Sequence, residues 1–288
     1  MTRLVVQHPA LSDAAVAAFE REVGQPPQRR TARLAAWDAI DLSGDEVDTL
    51  ADSLQVDAEL VSPALRLADF GLAAFDMDST LITIECIDEI ADYIGRKAQV
   101  AAITEAAMRG EITDYDESLR RRVALLEGLP QDTLQRVWDE RVRLSPGTDA
   151  LISAMKRAGL RVLVVSGGFT FFTERIKQRL GLDLARSNVL EVNDGKLTGR
   201  LVGPIINAQG KRRVVEQTCS MLGITPAQAI VVGDGANDLA MMAIAGMSVA
   251  YHAKPIVQSQ THHAVNHSGL DAILNFFSDQ PAGVSTLA

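Results

Sequence analysis

The sequence predicts an α/β fold: a Rossmann-like parallel sheet core with an inserted helical cap, preceded by a small N-terminal α/β module. Three observations carry that expectation. From Leu72 onward, short apolar runs alternate with helical stretches, the pattern of a parallel sheet covered on both faces. One long section, Ile84 to about Arg143, has helical spacing throughout. Finally, several strand-like runs stop at polar, Gly-rich turns, and such turns meet at the carboxyl edge of a parallel sheet.

Taken in order, Leu4 to Val6 predicts a strand, Asp13 to Val23 a helix, Thr31 to Ala39 a strand, Gly44 to Leu54 a helix and Val56 to Val61 a strand. Asp45, Glu46 and Asp48 suit a solvated helix start. Residues 1–70 hold no catalytic constellation and are read as an accessory domain. Leu72 to Phe75 is a buried strand. The helical section that follows, residues 84–143, is broken at Gly95, Gly110 and Gly128-Leu129-Pro130 and would sit above the sheet edge as a cap. Residues 71–83 and 144–288 form the core. There, Leu151 to Ala158 is a helix, Arg161 to Val165 a strand and Phe171 to Leu180 a helix. Val189 to Val192 and Lys196 to Val202 flank the hairpin signal Asn193-Asp194-Gly195. Helix Lys211 to Leu222, strand Ala229 to Val232, helix Asp238 to Ala245 and strand Ser248 to Tyr251 complete it.

Bulk composition narrows the function. The 288 residues are 47% hydrophobic and 23% charged, as in an ordinary globular protein, and the net charge of −9 argues against nucleic acid as a partner. An acidic chain that handles an anionic substrate needs a local basic pocket or a metal. Two cysteines, Cys86 and Cys219, make no disulfide framework and suit a reducing cytoplasm. The N-terminus lacks the apolar core of a signal peptide, and no run reaches the length of a membrane span.

The chemistry concentrates in Asp76-Met77-Asp78-Ser79-Thr80, directly after the apolar run Leu72-Ala73-Ala74-Phe75. Two acids at the mouth of a buried strand are costly unless a cation or a reaction employs them. Phosphoryl transfer employs both: one carboxylate attacks phosphorus and the other handles the leaving group's proton. A turn or helix cap is the plainer reading of Asp-x-Asp alone. Ser166-Gly167-Gly168, after Val164-Val165, would let a hydroxyl and backbone N–H groups approach phosphate oxygens. Lys211 follows the loop Asn207-Ala208-Gln209-Gly210, where a cation can neutralise phosphoryl charge. In Gly233-Asp234-Gly235-Ala236-Asn237-Asp238, Asp234 is a hard oxygen ligand for magnesium. Asn237 can face substrate, and Asp238 can orient Asp234's neighbours or Lys211, or cap a helix.

Together these segments resemble the haloacid dehalogenase superfamily of aspartyl-phosphate phosphatases, and within it the phosphoserine phosphatases. The resemblance runs from about Leu72 to about residue 275. It implies Asp76 as nucleophile and Asp78 as general acid/base, with Mg2+ held by Asp76, the backbone carbonyl of Asp78, and Asp234. It implies substrate contacts from Glu85, Arg122, Ser166, Gly167, Lys211 and Asn237, and O-phosphoserine as substrate in serine biosynthesis. The expected chemistry is hydrolysis to serine and phosphate through an aspartyl phosphate. Such a substrate also offers an ammonium and a carboxylate. Glu85, on the first turn after the catalytic strand, can hold the ammonium. Among Arg120, Arg121 and Arg122, helical geometry places Arg122 beside the stripe Leu119, Val123, Leu126 and turns Arg121 away. A guanidinium there suits a carboxylate.

Two alternatives stay open on sequence: a phosphotransferase with an alcohol acceptor, and an amino-acid sensor acting through residues 1–70, which resemble the small amino-acid-binding modules attached to some of these phosphatases. Oligomeric state is also open, a homodimer included. Cys86 is read as packing rather than nucleophile, and His262, His263 and His267 as a polar surface segment rather than a metal site.

Overall fold

The computed structural model describes residues 2–109 and 111–279. Among these residues the strands form two sheets. The first is antiparallel, in the order β2-β3-β1-β4, from β1 (Thr2–Gln7), β2 (Arg29–Arg30), β3 (Leu34–Ile40) and β4 (Asp57–Val61). Helices α1 (Asp13–Val23) and α2 (Gly44–Leu54) complete the module. Ser12 caps α1, and Ser43 with Glu46 forms a capping box on α2, so both helices start where their side chains satisfy free amides. The strand expected at Thr31 to Ala39 is β3, which begins only at Leu34 and forms a hairpin with the short β2 before it. Thr31 N–H bonds to Leu34 carbonyl at 2.8 Å and closes a turn inside the expected run.

Pleating divides the module's sheet. Leu4, Val6 and Trp37 pack with Val16 and Phe19 of α1 and Val47 of α2 in a local core. Val5, Leu34 and Val61 point the other way and join the main hydrophobic core.

The second sheet has the order β11-β10-β9-β5-β6-β7-β8. Its strands are β5 (Leu72–Phe75), β6 (Arg161–Phe169), β7 (Leu184–Asn193), β8 (Lys196–Val202), β9 (Ala229–Gly233), β10 (Met247–Tyr251) and β11 (His263–Val265). All neighbours pair in parallel except β7 with β8, the hairpin closed at Asp194-Gly195. β7 begins at Leu184, earlier than its hairpin signal, because its first half pairs with β6. The central strand buries both faces: Ala73 and Phe75 enter one core cluster, Leu72 and Ala74 the other.

Between β5 and β6 lie α3 (Cys86–Asp92), α4 (Lys97–Met108), α5 (Tyr115–Ala124), α6 (Asp132–Glu140) and α7 (Thr148–Arg157). The expected break at Gly110 falls outside the described residues. Further along come α8 (Thr170–Leu180), α9 (Ala208–Leu222), α10 (Leu239–Met242) and α11 (Pro255–Gln258), with a 3-10 turn at Leu270–Phe276. α9 starts three residues before the expected Lys211, because Asn207 caps it by accepting the Gly210 N–H. Among the described residues no helix is long and apolar enough to cross a membrane.

The histidine segment is not the open polar surface expected. β11 and the loop after it receive the module: Asp57, 4% exposed, accepts the backbone N–H groups of Asn266, His267 and Ser268. Glu59 accepts Ala264 N–H at 2.7 Å and lies 2.9 Å from His263 Nδ1. Acids 200 residues away in sequence cannot be paired with these amides by local pattern.

Candidate active site

The site follows from strand register. Phe75 is level with Val164 on one side and Val232 on the other. The residues just beyond these, Asp76, Ser166 and Asp234, therefore emerge at one carboxyl edge. Asp76 N–H donates to Val232 carbonyl at 3.0 Å, which fixes the first acid against β9. After it the backbone turns sharply through Met77–Leu81, with Ser79 in the left-handed region at φ 55.

Lys211 is fully buried, and its Nζ lies 2.7 Å from Asp76 Oδ2 and 2.7 Å from Asp238 Oδ1. Burial alone would lower its pKa, but Asp238 and Asp76 outweigh burial and raise it, so the cation is fixed. Asp238 also accepts Gly235 N–H, and Thr80 Oγ1 donates to Asp234 Oδ1 at 3.0 Å. Asp76, Asp234 and Asp238 bring ligand atoms within 4.8 Å of one another. An all-oxygen set with more negative charge than Lys211 neutralises fits a hard divalent cation. Asp238 thus belongs to the carboxylate cluster itself, beyond the orienting part its sequence position suggests. The Asp78 side chain turns elsewhere: its Oδ1 accepts Cys86 N–H at 3.2 Å.

A cavity of about 470 Å³ opens over this edge. Asp76, Asp78, Ser166, Gly167, Asp234 and Asn237 form its floor side, while Glu85 and Arg122 come from the helical insertion. Lys211 does not line the cavity; it acts from beneath, through Asp76 and Asp238. Arg121 pairs with Glu117 at 2.7 Å on the exposed side of α5, and Arg120 with Asp116 at 4.0 Å. Leu119, Val123 and Leu126 are buried as their spacing predicts. Ser166 Oγ accepts Gly168 N–H at 2.9 Å and shapes the turn. Both glycines there leave room for a neighbouring side-chain tip. A Cβ on Gly167 would meet the Tyr115 hydroxyl at 2.5 Å, and one on Gly168 would meet Asp78 Oδ2 at 2.7 Å.

Electrostatics set the acids apart. Burial, then the neighbouring Asp76, pushes Asp78 up to about 7. Asp234 and Asp238 are likewise pushed up to about 7 by burial and by Asp76. Glu85 opens to water across the cavity, yet surrounding protein and the Asp78 carboxylate push it up to about 8. Ser79 Oγ donates to it at 2.7 Å. Burial pushes the Cys86 thiol well up, which suits packing and not nucleophilic attack.

Several residues that shape the site carried no sequence signal. Asn188, 2% exposed, donates Nδ2 to Gly167 carbonyl and accepts Ile206 N–H on Oδ1, tying the phosphate-turn candidate to the segment before α9. Tyr115 covers Gly167 from α5. Their partners are distant in sequence, so no local motif marks them; Thr80 alone sits inside a motif.

Comparison with known proteins agrees with this geometry. A family model described as haloacid dehalogenase-like hydrolase matches residues 73–243. A phosphoserine phosphatase of Polaromonas sp. is 61% identical over 219 residues, 75% of this chain and 93% of that protein. The crystal structure of a haloacid dehalogenase family hydrolase from Salmonella enterica serovar Typhi superposes with a TM-score of 0.87 at 33% identity, covering 98% of this chain and 100% of that one. That of a probable phosphoserine phosphatase from Vibrio cholerae gives 0.82 at 36% identity, covering 96% and 86%. With a family model matched over residues 73–243 and a relative 61% identical over 219 residues, the chain belongs to the haloacid dehalogenase-like hydrolases.

Proposed function

We propose that this protein hydrolyses O-phosphoserine to serine and phosphate, with Asp76 as the covalent nucleophile. The observation that carries the reading is a buried carboxylate at the end of the central strand, 2.7 Å from a buried lysine, at the floor of a cavity that also holds an acid and a guanidinium from the helical insertion. In this reading residues 84–143 are a cap, residues 71–83 with 144–288 the catalytic core, and residues 1–70 accessory. Cys86 and Cys219 are both free, as a cytoplasmic enzyme would have them.

Asp76 attacks phosphorus while Lys211 holds its carboxylate in one orientation. Asp78, held near neutrality by burial, gives its proton to the departing seryl oxygen. The same carboxylate then takes a proton from the water that cleaves the aspartyl phosphate. Ser166, Gly167 and Asn237 line the cavity where phosphoryl oxygens would lie. Asp76, Asp234 and the Asp78 carbonyl would hold Mg2+, which neutralises charge gathered on the transferring group. On the cap wall, Arg122 pairs with the substrate carboxylate and Glu85 with its ammonium. An arriving ammonium reverses the effect that raises Glu85, because an opposite charge favours the carboxylate.

Phosphate release measured across phosphorylated amino acids and sugars tests the reading. Phosphoserine should be preferred, activity should vanish on chelation, and added Mg2+ should restore it. In a separate thermal melt without substrate, saturating Mg2+ should raise the melting temperature, since a ligand at 100 times its Kd adds about 2.7 kcal/mol. A sugar phosphate turned over more efficiently than phosphoserine would overturn the substrate assignment.

Selectivity should reside in Arg122. Arg122→Ala is expected to lower kcat/KM for phosphoserine about ten- to hundredfold, the worth of one charge-assisted pair, and to affect a small phosphate ester without a carboxylate far less. Arg121→Ala, which breaks only an exposed pair with Glu117, should change little. Equal losses on both esters would contradict the cap assignment.

A further inference from the structure

Asn207 joins two elements that bear on the cavity from opposite sides. Its Oδ1 accepts the Gly210 N–H at 2.9 Å and caps α9, the helix that carries Lys211 in its first turn. Its Nδ2 donates to Asp116 Oδ1 at 2.8 Å, across 91 residues of sequence. Asp116 stands in the first turn of α5, whose Tyr115, Ser118, Leu119 and Arg122 line the cavity. Arg120, at 4.0 Å, is a longer contact for the same carboxylate.

We infer that Asn207 is a positioning residue: one carboxamide latches the cap helix α5 to the N-terminus of α9 beside the cavity. The residue type fits both tasks at once. A carboxamide accepts from a helix amide with its oxygen and donates to a carboxylate with its nitrogen. Aspartate would cap α9 as well as asparagine does, but it would lose the donor and set a second negative charge against Asp116. The Asn188 side chain reinforces the same junction, tying Ile206, the residue before Asn207, to the Gly167 carbonyl beneath Tyr115. For catalysis the inference rests on phosphoserine hydrolysis; for the latch between α5 and α9 it stands on the contact itself.

The test uses the full-length protein. Asn207→Asp should speed hydrogen–deuterium exchange in Tyr115–Ala124 without substrate, while α9 stays protected because its cap persists. It should also lower kcat/KM for O-phosphoserine about ten- to hundredfold, chiefly through KM, as expected for a lost charge-assisted bond. Adding Asp116→Asn returns a donor to the pair with its polarity reversed, so the double variant should recover slow exchange in α5 and most of the lost kcat/KM. A purely structural disturbance at either site would instead make the double variant worse than each single one. Wild-type exchange in Asn207→Asp, or a double variant no better than the single, overturns the latch. A wild-type protein inactive on phosphoserine would sink the substrate reading alone, and exchange would still decide the latch.

Discussion

Asp76→Asn is expected to abolish turnover, lowering kcat by about 10⁴- to 10⁶-fold, the scale on which loss of a covalent nucleophile acts. The amide nearly matches the carboxylate in shape but cannot displace an alkoxide at phosphorus. The fold should persist. Asp76 raises Asp234 and Asp238 through like charge, so its neutralisation relieves repulsion and offsets part of the lost Lys211 contact. Circular dichroism and a thermal melt close to wild type, beside absent phosphate release, are the expected pair of results. Substantial phosphate release by Asp76→Asn would remove the carboxylate from the nucleophile's role.

Lys211→Met should be the most damaging change to stability in the site. Lys211 is fully buried and bridges Asp76 and Asp238 at 2.7 Å each, so the variant leaves two buried acids facing each other without a cation. Removing one partner of a buried ion pair costs about 3–5 kcal/mol. The variant's denaturation midpoint should fall accordingly, and Asp238→Asn added to it should recover part of the loss by removing an uncompensated charge. An unchanged midpoint in Lys211→Met would show that the buried charges are balanced otherwise. Activity should fall too, since the nucleophile loses the contact that orients it.

The parallel sheet and the edge where its strand ends converge were legible because both follow from local pattern. Leu72-Ala73-Ala74-Phe75 and Ala229 to Val232 are short, fully apolar runs; the first ends in the acids Asp76 and Asp78, the second in Gly233-Asp234-Gly235. Parallel register then carries Asp76, Ser166 and Asp234 to one edge without further information. The side of α5 that Arg122 occupies was legible for the same reason, since the spacing of Leu119, Val123 and Leu126 fixes which flank faces inward.

What could not be read depends on partners far apart in sequence. Asn207 looked like loop, and both its helix cap and its bond to Asp116 appear only once α9 and α5 are placed. Asp57 and Glu59 looked like acids of an accessory strand. In the fold they satisfy four backbone amides of residues 264–268, and the histidine segment becomes a docking edge. The same docking explains why Val5 and Val61, in strands beginning and ending the module, share the main core. The contact of Asp238 with Lys211 matches the orienting part its position suggested, whereas its approach to Asp76 and Asp234 appears only in the fold.

In this mechanism the phosphoryl group passes through Asp76. Enzyme mixed with 32P-labelled phosphoserine and Mg2+, quenched in acid within one turnover and digested, reports this directly. The expected result is label on the peptide containing Asp76, lost in mild base as an acyl phosphate is, and absent from Asp76→Asn. Label on another residue, or single-turnover phosphate release with no labelled protein at any quench time, would contradict the account.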